Sequence, residues 1–567
     1  MYRLVSFVVA AASVVGAWAS QPVVTIGNGT VLGVDLPQNG QQLFLGIPYA
    51  QPPLGDLRLR RPQPINATFT GGHVDATAYG PHCLSAYTTG FDDNSGFNSS
   101  EDCLTLNIVR PYAAMGKKPV PVLIWIHGGG LTESGSGDYR FNGTYLVEAS
   151  VANGHPMIFV SMNYRLAAFG FMGGAELEAD GSLNLGMHDQ RLAMQWVQDN
   201  IARFGGDPGR VTVQGERCVI FLFRLLRHFD RLQCGIVLVT HLTAYRGRND
   251  HLFQQAIIQS GVVPGQYPPA SIAPAQATFD ALLNGTSCAT TYTGTTQEKL
   301  AAAVGPVGVL FDGGMVDMIS SFEAFRAGRW VKVPLLVGSN TDEGCTFFAP
   351  GANTTAEASA AMAALTTNTT QLEALFELYP DDPALGSPWN TGEFQMPPWQ
   401  NGIFVVPGTQ NKRVAAMTGD IYMAAGPRLL GELLSSEVPY YKYRFNHLPY
   451  DVTFGVTDFV GHFMEMAYVF YTQNDETAFF KANHGTATYL GPGAPIADRF
   501  LAVYMSRSWA AFVATGDPNN ANVSSKVHWP KYDEGAENMV WQTQGSFVEK
   551  DNFRAEQMKY IADNILV

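Results

Sequence analysis

Charged side chains are scarce in this chain, 15% of its 567 residues, against roughly a quarter in ordinary globular proteins. Those present lean acidic: 35 Lys and Arg face 49 Asp and Glu, for a formal net charge of −14. That balance excludes nucleic acid and anionic membrane surfaces as main partners, because both are held through surplus cations. Cysteine is sparse too, six in all, which excludes a small disulfide-stapled scaffold. Internal repeats are lacking. Glycine and proline are plentiful, 58 and 33 residues, but they follow no period, which excludes collagen. What remains is 46% hydrophobic and 12% aromatic, enough to bury a large core and too apolar for a disordered chain.

The N-terminus points to a compartment. Arg3 precedes the apolar run LVSFVVAAASVV and then Ala17-Trp18-Ala19, the layout of a secretory signal peptide over residues 1–19. The run is short for a membrane-spanning helix, and no later segment reaches that length. The closing residues Ala562 to Val567 form no hydrophobic tail for a lipid anchor. Eight Asn-x-Ser/Thr sequons begin at Asn28, Asn66, Asn98, Asn142, Asn284, Asn353, Asn368 and Asn522. Beside a signal peptide they predict a secreted, extracellular glycoprotein carrying N-glycans, with no stable membrane anchor.

Short apolar runs recur: VPVLIWIH (120–127), MIFVSMNY (157–164), RVTVQG (210–215), QAIIQS (255–260) and VPLLVGSN (333–340). Apolar on both faces, they suit buried parallel strands. Between two of them, Leu185, Leu192, Trp196 and Ile201 fall on one face of a helix, and Asp207-Pro208-Gly209 reads as a turn into the next strand. Residues 350–435 are Ala/Thr-rich and read as helices with loops. This alternation predicts an α/β fold, a large and mostly parallel central sheet flanked by helices, in one domain over 20–567.

His127-Gly128-Gly129-Gly130 follows the strongest of these strands. Glycines there let backbone N–H groups approach a developing oxyanion that side chains would obstruct. Upstream stands Glu101-Asp102-Cys103-Leu104-Thr105-Leu106-Asn107-Ile108, and downstream Asn163-Tyr164-Arg165-Leu166. With these stretches, and with NLGMHDQRLAMQWVQDNIARFGGDPGRVTVQGE, LFQQAIIQSG, GSNTDEG and WAAFVATGDPN, the chain from about Val23 onward resembles the type-B carboxylesterase/lipase family of α/β-hydrolases.

The resemblance implies a Ser–Glu–His triad in that chain order, acting on a small-molecule or lipid ester through an acyl-enzyme, without metal or cofactor. The acid it implies is Glu343, with Asp342 the competing candidate; the base is His462, with His447 the rival. Gly129 and Gly130 would form the oxyanion hole together with the residue after the nucleophile, and Cys83 would pair with Cys103.

The nucleophile departs from the family pattern. Gly-Glu-Ser-Ala-Gly is expected, but the chain reads Gly215-Glu216-Arg217-Cys218-Val219 and holds no Gly-x-Ser-x-Gly anywhere. Arg217, where Ser is expected, stays protonated and is no nucleophile. Cys218 is one position late, and Ser260 matches another family position. Residues 217–240 form an anomalous insert, read as a retained intron or splice error in the gene, with a genuine insert as the alternative. Cys288 lacks the short-range partner that the family implies, so Cys218, Cys234, Cys288 and Cys345 stay unassigned. Two functions follow: a secreted carboxylic ester hydrolase (EC 3.1.1 type) whose printed chain is inactive, or a catalytically inactive family member with a binding role.

Overall fold

Runs without a polar face need cover on both sides, and the computed structural model buries all five within one sheet. It describes residues 21–85, 97–216, 236–261, 275–277, 279–280, 308–363, 368–392, 408–450, 459–472, 490 and 493–566. The signal-peptide segment, Asn284, Arg217, Cys218, Cys234 and Cys288 lie outside these residues.

Among the described residues the sheet has eleven strands: β1 (Val34–Leu36), β2 (Gln41–Pro48), β3 (Thr105–Pro111), β4 (Val120–Ile126), β5 (Ile158–Met162), β6 (Gly206–Glu216), β7 (Gln255–Gln259), β8 (Leu335–Asn340), β9 (Tyr440–Phe445), β10 (Glu537–Trp541) and β11 (Phe547–Lys550). Their spatial order is β11-β10-β9-β8-β7-β6-β4-β5-β3-β2-β1. From β10 through β5 all neighbours run parallel; the pairs at both margins run antiparallel. Parallel neighbours require crossovers, and the helices supplying them cover both faces. The two larger apolar clusters lie one on each side, with Val122, Ile124 and Val213 in the first and Leu123, Trp125 and Ile257 in the second. Adjacent residues of β4 thus serve opposite layers, as strand alternation demands.

Two details differ from the sequence reading. Asp207-Pro208-Gly209 does not precede the strand: β6 begins at Gly206, and the tripeptide sits in a register shift against β4 between Gly206 and Val211. Asp207 Oδ1 accepts the Gly209 N–H at 2.9 Å, so the turn is made as a bulge within the strand. In the helix Leu185–Asn200, Leu192 is only partly buried, while Met187, Ala193, Met194 and Val197 join Trp196 in the core. EDCLTLNI is itself half strand, its last four residues opening β3. The 350–435 region is helical as expected, over Thr355–Met362, Thr369–Leu378, Asn411–Gly419 and Ala425–Leu434 among its described residues.

The family-like motifs fix this scaffold through ion pairs. Glu101 takes a bidentate pair from Arg58 at 2.6 and 2.9 Å. Arg165 holds Asp189 at 2.8 and 2.7 Å, with both side chains buried, tying the exit of β5 to the helix Leu185–Asn200. Cys83 and Cys103 form a disulfide across 20 residues of sequence.

Candidate active site

Parallel strands release their C-terminal residues along one edge, where an α/β sheet collects its functional groups. Register sets the neighbours here. Ile126 of β4 lies opposite Gly215 of β6, Glu216 opposite Gln259 of β7, and Gln259 opposite Gly338 of β8. The glycine triplet, Glu216, Ser260 and Glu343 therefore leave adjacent strands at one edge, and His462 arrives from a distant loop.

The triplet is anchored at its histidine. His127 Nδ1 lies 2.8 Å from Gly128 O. Tyr164 donates its hydroxyl to His127 O at 2.7 Å, its ring stacked at 4.4 Å. Gly129 and Gly130 both take left-handed φ, +102° and +71°. A Cβ on Gly129 would stand 2.2 Å from Glu133 O, so only glycine fits.

Glu343, 2% exposed, opens a single turn just past β8. Its Oε1 accepts from Ser260 Oγ at 2.6 Å, Asn340 N at 2.8 Å and Asn340 Nδ2 at 3.1 Å. Its Oε2 faces His462 Nδ1 at 2.8 Å. Burial works against the Glu343 charge, but the His462 ring and these donors outweigh it and hold the carboxyl below its usual range. Ser260 reaches the acid by adopting φ +47°, uncommon for a non-glycine residue. Phe463, beside His462, takes φ +74°. Such strained backbone gathers where the surrounding structure over-determines a site.

The other ring nitrogen makes a pair that the motif reading did not assign. His462 Nε2 lies 2.9 Å from Glu216 Oε1, the carboxylate preceding position 217. The imidazole is thus held between Glu216 and Glu343. Burial disfavours its charge, yet the two carboxylates prevail and push its pKa up to about 10. Below them Glu465 is fully buried, taking Asn340 Nδ2 at 2.7 Å and Gln259 Nε2 at 3.3 Å. Burial first, then the charges of Glu343 and Glu216, raise its pKa to about 8, so it stays largely protonated at neutral pH. Glu216 and Glu465 were in view within the Val-Gln-Gly-Glu and His-x-x-Glu stretches, but nothing local in sequence told that both lie close to His462.

The two alternatives separate by direction. Asp342 turns away from His462 and accepts backbone N–H groups from Trp389 and Val460. His447 Nε2 pairs with Asp498 Oδ1 at 2.8 Å, which also accepts from the Tyr468 hydroxyl at 2.7 Å; that cluster lies apart from Glu343. Ser260 donates to the acid and, among the described residues, pairs with no histidine. Cys345 is a buried free thiol.

Comparison with known proteins gives a consistent result. The model of the carboxylesterase family matches residues 20–561. The chain is similar to secreted lipase 1 of Botryotinia fuckeliana, 31% identical over 96% of this chain and 94% of the relative. It is similar to lipase 5 of Diutina rugosa at 31% identity, covering 96% of each. Among solved structures it resembles EstA of Aspergillus niger, with a TM-score of 0.75 and 24% identity over 96% of this chain and 98% of that one, a likeness that establishes the α/β-hydrolase fold.

Proposed function

The chain belongs to the carboxylesterase family, and from that premise we propose a secreted carboxylic ester hydrolase working through an acyl-enzyme, in one domain over 20–567. The observation that carries the reading is the 2.8 Å pair between His462 Nδ1 and Glu343 Oε2, both buried at the C-terminal edge of the sheet. A serine at 217 would directly follow Glu216, whose carboxylate lies 2.9 Å from His462 Nε2. His462 would take its proton as it attacks the ester carbonyl, then return the proton to the leaving alcohol. Glu343 would hold the ring and stabilise its charged form. The N–H groups of Gly129 and Gly130 would carry the oxyanion, each such donor being worth about a hundredfold or more in rate. Water would then release the acid.

The printed chain is expected to be silent. Arg217 offers no nucleophile, because its guanidinium stays protonated. On the splice-error reading of residues 217–240, the natural protein carries serine at 217. The second reading, an inactive family member that binds partners, is favoured by Arg217 and by the Glu216–His462 pair that fills the base's free nitrogen. Secretion is supported by the N-terminal run, by the sequons and by relatives that bear the name secreted lipase.

Labelling by a fluorophosphonate decides between the readings, because it requires an activated serine. The protein from the spliced transcript should label and hydrolyse a short chromogenic ester, while the printed chain should do neither. A transcript that encodes Arg217 and the full insert would overturn the hydrolase reading.

A further inference from the structure

Asp342, one residue before the acid, is 4% exposed and does its bonding away from the imidazole. Oδ1 accepts the Trp389 N–H at 2.7 Å, and Oδ2 accepts the Val460 N–H at 3.1 Å. In return the Asp342 N–H donates to Val460 O at 2.9 Å. Residues 342 and 460 are therefore bonded both ways, although 118 positions separate them. One turn later, Thr346 Oγ1 accepts the His462 N–H at 3.1 Å. Gly461 lies between these contacts, where a Cβ would meet Thr346 Oγ1 at 2.8 Å. The His462 segment is thus sewn to the turn that carries Glu343 at both of its ends.

We propose that Asp342 is a positioning residue. With Thr346 it forms a strap that holds segment 460–462 against the acid turn, and so sets how closely His462 Nδ1 meets Glu343 Oε2. The argument is one of acceptor number. A carboxylate satisfies two N–H donors from two separate segments, whereas an amide has one oxygen and would press its own N–H₂ against the other donor. The peptide so released is only two residues from the imidazole. A change of an ångström there separates a bonded from an unbonded pair. The proposal rests on Glu343 and His462 acting as a pair, and extends that reading to what aligns them.

The test uses the full-length chain with Asp342→Asn and, as a second variant, Thr346→Val. Two signals are read: the far-downfield proton resonance of the His462 Nδ1–H on Glu343, assigned by its loss in His462→Gln, and amide exchange across 459–463. Thermal melting checks folding. In Asp342→Asn the melt should stay cooperative, the resonance should broaden or shift, and the Val460 amide should exchange about tenfold faster. In Thr346→Val the His462 amide should respond in the same direction. A folded Asp342→Asn protein with unchanged resonance and unchanged exchange overturns the proposal. If Asp342→Asn does not fold, an unchanged resonance in Thr346→Val overturns the strap. If the parent itself lacks any resonance removed by His462→Gln, the acid–base reading fails instead, and exchange at Val460 still judges Asp342.

Discussion

A histidine between two carboxylates is a different reagent from one between a carboxylate and a hydroxyl. Glu216 and Glu343 each lie within 3 Å of a His462 ring nitrogen, and together they outweigh burial to keep the ring charged. Replacing Glu216→Gln should remove one of them and lower the His462 midpoint by about one to three units, read by NMR titration of labelled histidine; an unmoved midpoint would mean that Glu216 does not face the ring. The glycine triplet carries a separate residue-level expectation. Gly129→Ala places a methyl 2.2 Å from Glu133 O on a backbone with φ +102°. It should destabilise the protein by at least about 1–3 kcal/mol, measured as a drop in the urea midpoint. The motifs around Glu343 and His462 singled out in sequence two side chains that the fold brings to 2.8 Å. The role of Glu216 was not, because its partner lies some 246 residues on and only folding determines which ring nitrogen it meets.

Elements were legible wherever apolar residues dominated both faces. All five runs became neighbouring parallel strands, β4 through β8. The strand β9, YYKYRF, escaped because Lys442 and Arg444 break its apolar pattern. Both charges are met by partners from far along the chain: Lys442 by Asp551 at 3.0 Å and Arg444 by Glu549 at 2.8 Å. Charge counts against a buried strand only when it is unpaired. The same logic makes the Arg165–Asp189 pair the seam between β5 and the helix Leu185–Asn200. Asp189→Ala should cost about 3–5 kcal/mol, since it leaves Arg165 buried without its counterion; denaturant unfolding would register this, and a loss below about 1 kcal/mol would assign the seam to packing instead.

Over the whole molecule, buried ionisable groups set the pH range of stability. Burial pushes His127 and His188 down to about 4 and His241 well below its usual value. The unfolded chain therefore binds more protons than the folded one between about pH 4 and 6.5, and these three groups make stability rise with pH across that window. Two carboxyls act in the opposite sense. Burial raises Asp342 to about 6 and Glu465 to about 8, so the folded form holds extra protons and loses stability as pH climbs through those ranges. Between about 4.5 and 6, the three histidines are set against these two carboxyls and Glu432, which partial burial also raises. Above 6.5 the histidines fall silent, while Glu465 and then His462, raised to about 10, both weaken the fold. Stability should peak near pH 6.5 and fall on each side, by about 1.4 kcal/mol per pH unit for each unbalanced proton. Urea midpoints from pH 4.5 to 9 check this; a maximum above pH 8 would mean that His462 is not paired as described.

Residue type and local order alone determined the α/β alternation, the glycine triplet after β4 and the absence of Ser at 217. These depend on patterns a few residues long, which act before distant segments meet. Only the tertiary structure decided that Glu343 rather than Asp342 faces His462, that His447 belongs to Asp498, and that Glu216 closes on the second ring nitrogen. Asp342 and Glu343 leave the turn past β8 in different directions, and what each one meets depends on crossovers that return the chain from a hundred residues away.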